Sequence, residues 1–200
     1  MTHIVLDDFL PQEQLEDVLE ATRSIYGFNE AGFSCYIPRR VHCTPLSDKH
    51  ARTIETYCKR IREITNIFNN RPVNMYEYWS HRDNPPGWHF DKDEALNRNE
   101  GIIRTPLCST VFYPSVSDDV REGYFEVIEQ PQMVINDVTE EKERFHTKIS
   151  PATNRLIIFP SVYMHRGNKP KDGIGERLLL AVNLWDVEPP RPEDLEPTDK

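Results

Sequence analysis

The chain has 200 residues, a formal net charge of −9, 38% apolar residues and 10% aromatic residues. That length suits one compact domain with a sizeable core, and the acidic balance argues against nucleic-acid binding, which needs a basic face. No apolar run approaches the roughly 18 residues of a membrane span, and Met1-Thr2-His3-Ile4 lacks the basic-then-apolar pattern of a signal peptide, so the expected location is the cytoplasm.

Residues 4–9 read as a short apolar strand. Pro11 then opens a helix whose buried stripe is Leu15, Val18, Leu19, Thr22, Ile25 and Tyr26, at helical spacing, with Gly27 as its stop. Residues 33–46 read as loop or irregular strand. Ser47 can cap a second helix, with Ile54, Tyr57, Cys58, Ile61, Ile64, Ile67 and Phe68 on its buried stripe and Asn69-Asn70 and Pro72 ending it. From Val73 the pattern changes to short strands: 73–80, 87–92, 105–114, 122–129, 144–149, 155–159 and 176–185. Prolines and glycines, Pro114 among them, punctuate these strands. Residues 136–144 read as a charged loop or short helix, and 186–200, with Pro189, Pro190, Pro192 and Pro197, as a loosely attached tail. Two helices followed by many short strands predict a mainly β domain of two sheets with helices on one face. Cys35, Cys43, Cys58 and Cys108 form no C-x-x-C pair and are expected as free thiols. A zinc site around His42 and Cys43 is disfavoured by the same spacing.

The chemistry-bearing residues begin at His89-Phe90-Asp91. In extended chain, residues i and i+2 share a face, so this triplet points an imidazole and a carboxylate into one space. A second His-x-Asp, His81-Arg82-Asp83, precedes Asn84-Pro85-Pro86-Gly87 and reads as an exposed turn, at most a rim contact. The distal histidine is His165 or His146. His146 lies in an exposed-looking alternating stretch, whereas His165 follows Pro160-Ser161 at the start of a strand and is preferred. Two histidines and one carboxylate, with the opposite face open, form the ligand set of non-haem iron(II) oxygenases. Arg177 precedes the apolar run Leu178-Leu179-Leu180-Ala181-Val182, and a guanidinium buried there needs an anionic partner.

Trp88-His89-Phe90-Asp91, then Arg155-Leu156-Ile157-Ile158-Phe159-Pro160, then His165, then Arg177, together resemble the iron(II)- and 2-oxoglutarate-dependent oxygenases. Ile4-Val5-Leu6-Asp7-Asp8-Phe9-Leu10-Pro11 is similar to the N-terminus of the prolyl-hydroxylase-like branch. The resemblance implies a double-stranded β-helix, a distorted jelly roll, with helices packed on one sheet. It implies one oxygenase domain over 1–187, with helical support at 10–70 and a jelly-roll core at 73–187, and a flexible Pro-rich acidic tail at 188–200. It implies iron(II) on His89, Asp91 and His165, 2-oxoglutarate as co-substrate, dioxygen, and ascorbate as an optional stimulant. Halogenating relatives carry Gly or Ala at the aspartate position, so Asp91 implies hydroxylation or another oxidation instead. Leu179 departs from the pattern, since many relatives carry Ser or Thr two residues after the arginine.

On this reading Arg177 holds the distal carboxylate of 2-oxoglutarate with its planar fork. Tyr76 or Tyr78, and with less support Thr110 and Asn183, supply further contacts. The reaction would oxidise an aliphatic C–H, releasing succinate and carbon dioxide. The expected substrate is a small molecule, such as an amino acid, with Arg82, Lys92, Asp93, Glu94 and Arg121 as candidate contacts. The alternatives are hydroxylation of a prolyl or other side chain in a peptide or protein, and a non-catalytic metal-binding β-domain. No nucleic-acid or membrane partner is expected, and no oligomeric state is implied.

Overall fold

The computed structural model describes residues 3–29, 35–37, 46–65, 71–81, 87–131, 146–171 and 175–187. In chain order the elements are β1 (Ile4–Leu6), α1 (Gln12–Asn29), β2 (Cys35–Ile37), α2 (Asp48–Thr65), β3 (Met75–His81), α3 (Glu94–Glu100), β4 (Cys108–Val116), β5 (Phe125–Pro131), β6 (His146–Ile149), β7 (Arg155–Phe159), β8 (Tyr163–Gly167) and β9 (Arg177–Trp185). A six-stranded sheet runs β1-β7-β4-β9-β3-β2 and a three-stranded sheet runs β6-β5-β8. The pairings within both are antiparallel. The molecule is mainly β with antiparallel sheets and helices, consistent with a jelly-roll-like fold.

Alternation along the strands divides the interior in two. Tyr76, Tyr78, Phe112, Leu156, Ile158, Leu180, Val182 and Leu184 face α1 and α2, where they meet Leu15, Val18, Ile25, Ile54, Tyr57 and Ile61. Phe9, Tyr57 and Phe112 form an aromatic junction there, with ring centroids 5.3–6.1 Å apart. The opposite face of the large sheet presents Val111, Tyr113, Ile157, Phe159, Leu179 and Ala181 to Phe125, Val127, Ile149 and Tyr163 of the small sheet. The candidate site residues His165 and Arg177 lie on this second side.

The helical stripes fall where the spacing predicts, although Gly27 does not stop α1, which continues to Asn29. Ser47 accepts from the His50 amide at 3.2 Å and so caps α2. Several expected strands shift. The first ends at Leu6 because Asp8 takes a positive φ of 50°. Residues 87–92 do not form a strand; they contribute one bridge, His89 to His165. Pro114 does not break β4, which passes through it at a bulge between Phe112 and Ser115. β5 begins at Phe125 rather than 122, after the positive-φ turn Glu122-Gly123. Helix α3 is not expected from the periodicity. It rests on its caps: Asp93 accepts from the Leu96 amide, and Gly101, at φ 69°, returns its amide to the Asn97 carbonyl. The expectations for 136–144, for Ile67, Phe68, His42 and Cys43, and for the tail 188–200 lie outside the described residues.

Candidate metal centre

The site is built first from main chain. The His89 amide donates to the His165 carbonyl at 3.0 Å, and the His165 amide returns a bond to the His89 carbonyl at 2.8 Å. Residues that exchange both bonds in an antiparallel pair lie directly opposite and point the same way, and the two imidazole centroids stand 4.3 Å apart. His165 sits in the middle of β8, not at the start of a strand as the sequence suggests, because β8 begins at Tyr163.

Each ring has its Nδ1 committed. His89 Nδ1 lies 2.7 Å from the Gly87 carbonyl and His165 Nδ1 lies 3.1 Å from the Tyr163 carbonyl. A carbonyl can only accept, so both Nδ1 atoms carry the proton and both Nε2 atoms present lone pairs. Those atoms lie 3.8 Å (His89) and 3.7 Å (His165) from the two oxygens of Asp91. These separations are too long for hydrogen bonds, yet one ligand atom from each of the three residues lies within 4.8 Å of the others. Burial pushes the His165 imidazole below its usual range, with the His89 charge acting the same way and Asp91 opposing. That favours the neutral form a metal ligand requires. Asp91 is oriented by Ser109, whose hydroxyl donates to Oδ2 at 2.6 Å. With its one proton so used, Ser109 accepts from Ser161, 2.9 Å away. The sequence reading missed both serines; the strand parity that puts Ser109 on the face of Val111 was the available signal.

Arg177 is fully buried at 0% exposure. Its Nη1 donates to the Gly123 carbonyl, and its guanidinium carbon lies 5.9 Å from the Tyr113 ring centroid. Gly123 permits this approach, since a Cβ there would sit 3.3 Å from Nη1 on a backbone at φ 49°. Among the described residues, Nε and Nη2 have no partner. Unpaired buried donors cost about 1–3 kcal/mol each, more when charged, so this guanidinium is set up for an anion. Burial raises the Tyr113 hydroxyl to about 12 despite Arg177 nearby, keeping it a protonated donor.

A small cavity adjoins the three converging side chains and is lined by His89, Asp91, His165, Tyr113, His81 and Asn183 among others. Two corrections follow. Tyr76 and Tyr78 are not at the cavity; they face the helices, on the other side of β3 from His81. His81 is not a surface turn but a cavity wall, its imidazole pushed below the usual range by burial and by the His89 and Arg177 charges. Asp83 and Arg82 lie outside the described residues. The Thr110 hydroxyl is used by the Val182 carbonyl. Asn183 is buried at the wall, its Nδ2 donating to Glu77 Oε2 at 3.3 Å and its Oδ1 without a partner among the described residues. His146 lies apart, 3.5 Å from Glu126 and edge-on to Trp88. Among the other candidates, Lys92 and Glu94 line a second cavity beside His89 and Asp91. Asp93 serves as the cap of α3, and Arg121 bonds the carbonyls of its own loop.

No family profile and no curated relative matches the sequence. Solved structures do. The chain is similar to a Pseudomonas putida prolyl-4-hydroxylase (13% identity, TM-score 0.60, covering 92% of this chain and 88% of that one). It is similar to an oxidoreductase of the 2OG-Fe(II) oxygenase family from Burkholderia pseudomallei (14%, TM-score 0.61, 93% and 85%). It is also similar to HygX from Streptomyces hygroscopicus, solved with nickel and 2-oxoglutarate bound (14%, TM-score 0.57, 92% and 82%). At these identities the shared property is the fold.

Proposed function

We propose that this chain is an iron(II)- and 2-oxoglutarate-dependent dioxygenase that oxidises, by hydroxylation, an aliphatic C–H of a small molecule. The observation that carries the reading is the pairing of two groups with opposite needs. Three ligand atoms converge for a cation, and a buried guanidinium on the same inner face has two N–H donors unpaired among the described residues.

The residues fit both partners. His89 and His165 offer Nε2 because their Nδ1 protons are held by carbonyls, and Asp91 offers a carboxylate fixed by Ser109. Arg177 Nε and Nη2 are the donors for the distal carboxylate of 2-oxoglutarate, with the Tyr113 ring centroid 5.9 Å from the guanidinium carbon. Leu179 supplies no hydroxyl; Tyr113, which lines the same cavity, carries one. Phe125, Phe159, Val111 and Ala181 give the cavity an apolar wall that excludes water. When bound, iron(II) with 2-oxoglutarate and dioxygen supplies the oxidation, with succinate and carbon dioxide as co-products. The same reading takes the fold as a double-stranded β-helix and residues 1–187 as one domain. A second reading, hydroxylation of a prolyl or other side chain in a peptide, is favoured by the likeness to a prolyl-4-hydroxylase.

The test is succinate release from 2-oxoglutarate with iron(II), ascorbate and air, with and without candidate substrates. His89→Ala and Asp91→Ala should abolish release while the circular dichroism spectrum is kept. Arg177→Ala should raise the half-saturating 2-oxoglutarate concentration roughly ten- to a hundredfold, the worth of a charge-assisted hydrogen bond. A protein that binds neither metal nor 2-oxoglutarate would reject the enzyme reading in favour of a non-catalytic β-domain.

A further inference from the structure

The second cavity, about 480 Å³, adjoins His89 and Asp91. Its volume is that of a small-molecule site. Trp79, Trp88, Phe90 and Met164 line it, and each of these large apolar side chains is only half-buried. The Arg166 guanidinium already lies 4.6 Å from the Trp88 ring centroid, and the Lys92 ammonium 5.3 Å from that of Phe90. Trp79 has no ring or cation partner among the described residues. The charges of the wall are engaged. Glu77 Oε2 accepts from Asn183 Nδ2 at 3.3 Å and from Trp185 Nε1 at 3.1 Å, and the residue has a further interaction besides. Lys92 Nζ lies 2.7 Å from Glu94 Oε1, and Asp91 belongs to the ligand group. A charged ligand would find no counter-charge here, and a desolvated unpaired charge is costly, so the cavity suits a neutral one.

One polar group of the wall is left over. A carboxylate only accepts, so the Asn183 NH₂ faces Glu77 and the carbonyl oxygen faces away from it. That oxygen, on a residue 2% exposed, has no partner among the described residues. A buried acceptor left unmade costs the full desolvation of the group, so its complement is an N–H or O–H donor. 2-Oxoglutarate offers only acceptors when ionised, so it does not satisfy this oxygen. Asn183, together with Trp79, His89 and Asp91, lines both cavities, so a donor bonded there sits at the wall the cavities share with two of the converging ligands. Beside it, the uncovered Trp79 indole and the Met164 thioether are surfaces that an aromatic ring fits by offset or edge-on contact.

We propose that this cavity binds a neutral aromatic substrate whose ring carries an N–H or O–H donor, with Asn183 Oδ1 as the acceptor and the Trp79 indole as the stacking surface. The carbon to be oxidised is then on an aliphatic substituent of that ring. The proposal rests on the oxygenase reading only in calling the ligand a substrate; the binding itself does not depend on it. Asn183 selects for the donor, and Trp79 for the ring.

The experiment titrates indole, 1-methylindole and cyclohexanol into the full chain, followed by saturation-transfer NMR, in metal-free form and again with nickel(II) and 2-oxoglutarate. Nickel(II) and 2-oxoglutarate binding is measured separately by calorimetry. Indole should bind about fivefold or more tightly than 1-methylindole, which keeps the ring and lacks the donor, the effect of one hydrogen bond to a buried acceptor. It should exceed cyclohexanol, which keeps a donor and lacks the ring, by about the same factor. Asn183→Leu removes the acceptor at similar volume and should bring the two indoles to within about twofold of each other. Trp79→Leu should weaken both indoles alike and leave their ratio. Equal binding of indole and either control, binding of none of the three, a folded Asn183→Leu protein that keeps the preference, or a folded Trp79→Leu protein that binds indole as the parent does would each overturn the proposal. The probe comparison uses the unaltered chain, so it stands whether or not the variants fold. Absence of nickel(II) and 2-oxoglutarate binding, with the preference for indole intact, would instead reject the oxygenase reading alone.

Discussion

Ser109 shows how much a ligand set depends on what stands behind it. Its hydroxyl holds Asp91 Oδ2 at 2.6 Å and is itself held by Ser161. Removing such a support usually costs ten- to a hundredfold in metal affinity. Ser109→Ala should therefore weaken nickel(II) binding by about that factor in a calorimetric titration, with the fold unchanged. Of the three converging side chains, His89 and Asp91 were legible as a pair because i, i+2 spacing needs no tertiary knowledge, whereas His165 was chosen over His146 from its place after Pro160-Ser161. The tyrosines were misread because β3 carries aromatic rings on both faces, Tyr76 and Tyr78 on one and Trp79 on the other, and its own pattern does not say which face meets the small sheet. The neighbouring strand does. Arg177, Leu179 and Asn183 are inward, and their register across β3 assigns His81 and Glu77 to the same side and Tyr76 and Tyr78 to the other. Sequence alone does not contain that register, so His81 and Tyr113 stayed invisible as cavity residues.

At the scale of elements, the helical half read well and the loops read poorly, for a physical reason. The stripes of α1 and α2 repeat a periodicity over 18 residues each, whereas single residues decide the turns. Asn154 is one of these. It sits at φ 64° and clamps Leu10 from both sides, accepting from its amide at 2.9 Å and donating to its carbonyl at 2.8 Å. This ties the start of β7 to the lead-in of α1. Asn154→Ala loses both bonds and strains the backbone, at a cost of about 2–4 kcal/mol. Asn154→Gly should recover the strain but not the bonds. Urea unfolding of the two variants separates these contributions, and equal midpoints would show that the backbone conformation contributes nothing.

For the whole molecule, two cores share one large sheet, and the candidate ligands and Arg177 lie on the side turned to the small sheet. Ligands bound there stabilise the folded state by mass action, about 2.7 kcal/mol at a hundredfold excess over Kd. For a chain of this size that is a rise of roughly 5–10 °C in Tm. Nickel(II) should give one increment in a thermal melt and 2-oxoglutarate a second. Arg177→Ala should keep the first and lose most of the second, whereas loss of both would place the arginine in general folding rather than in recognition of the acid.

The reciprocal amide–carbonyl bonds between His89 and His165 have a practical meaning. The spacing of the two imidazoles is stapled by main chain rather than by an ion. Chelation should therefore strip the protein without unravelling it, and reloading should require only dialysis. A redox-silent ion can then be exchanged in to hold a complete complex still in a crystal under air.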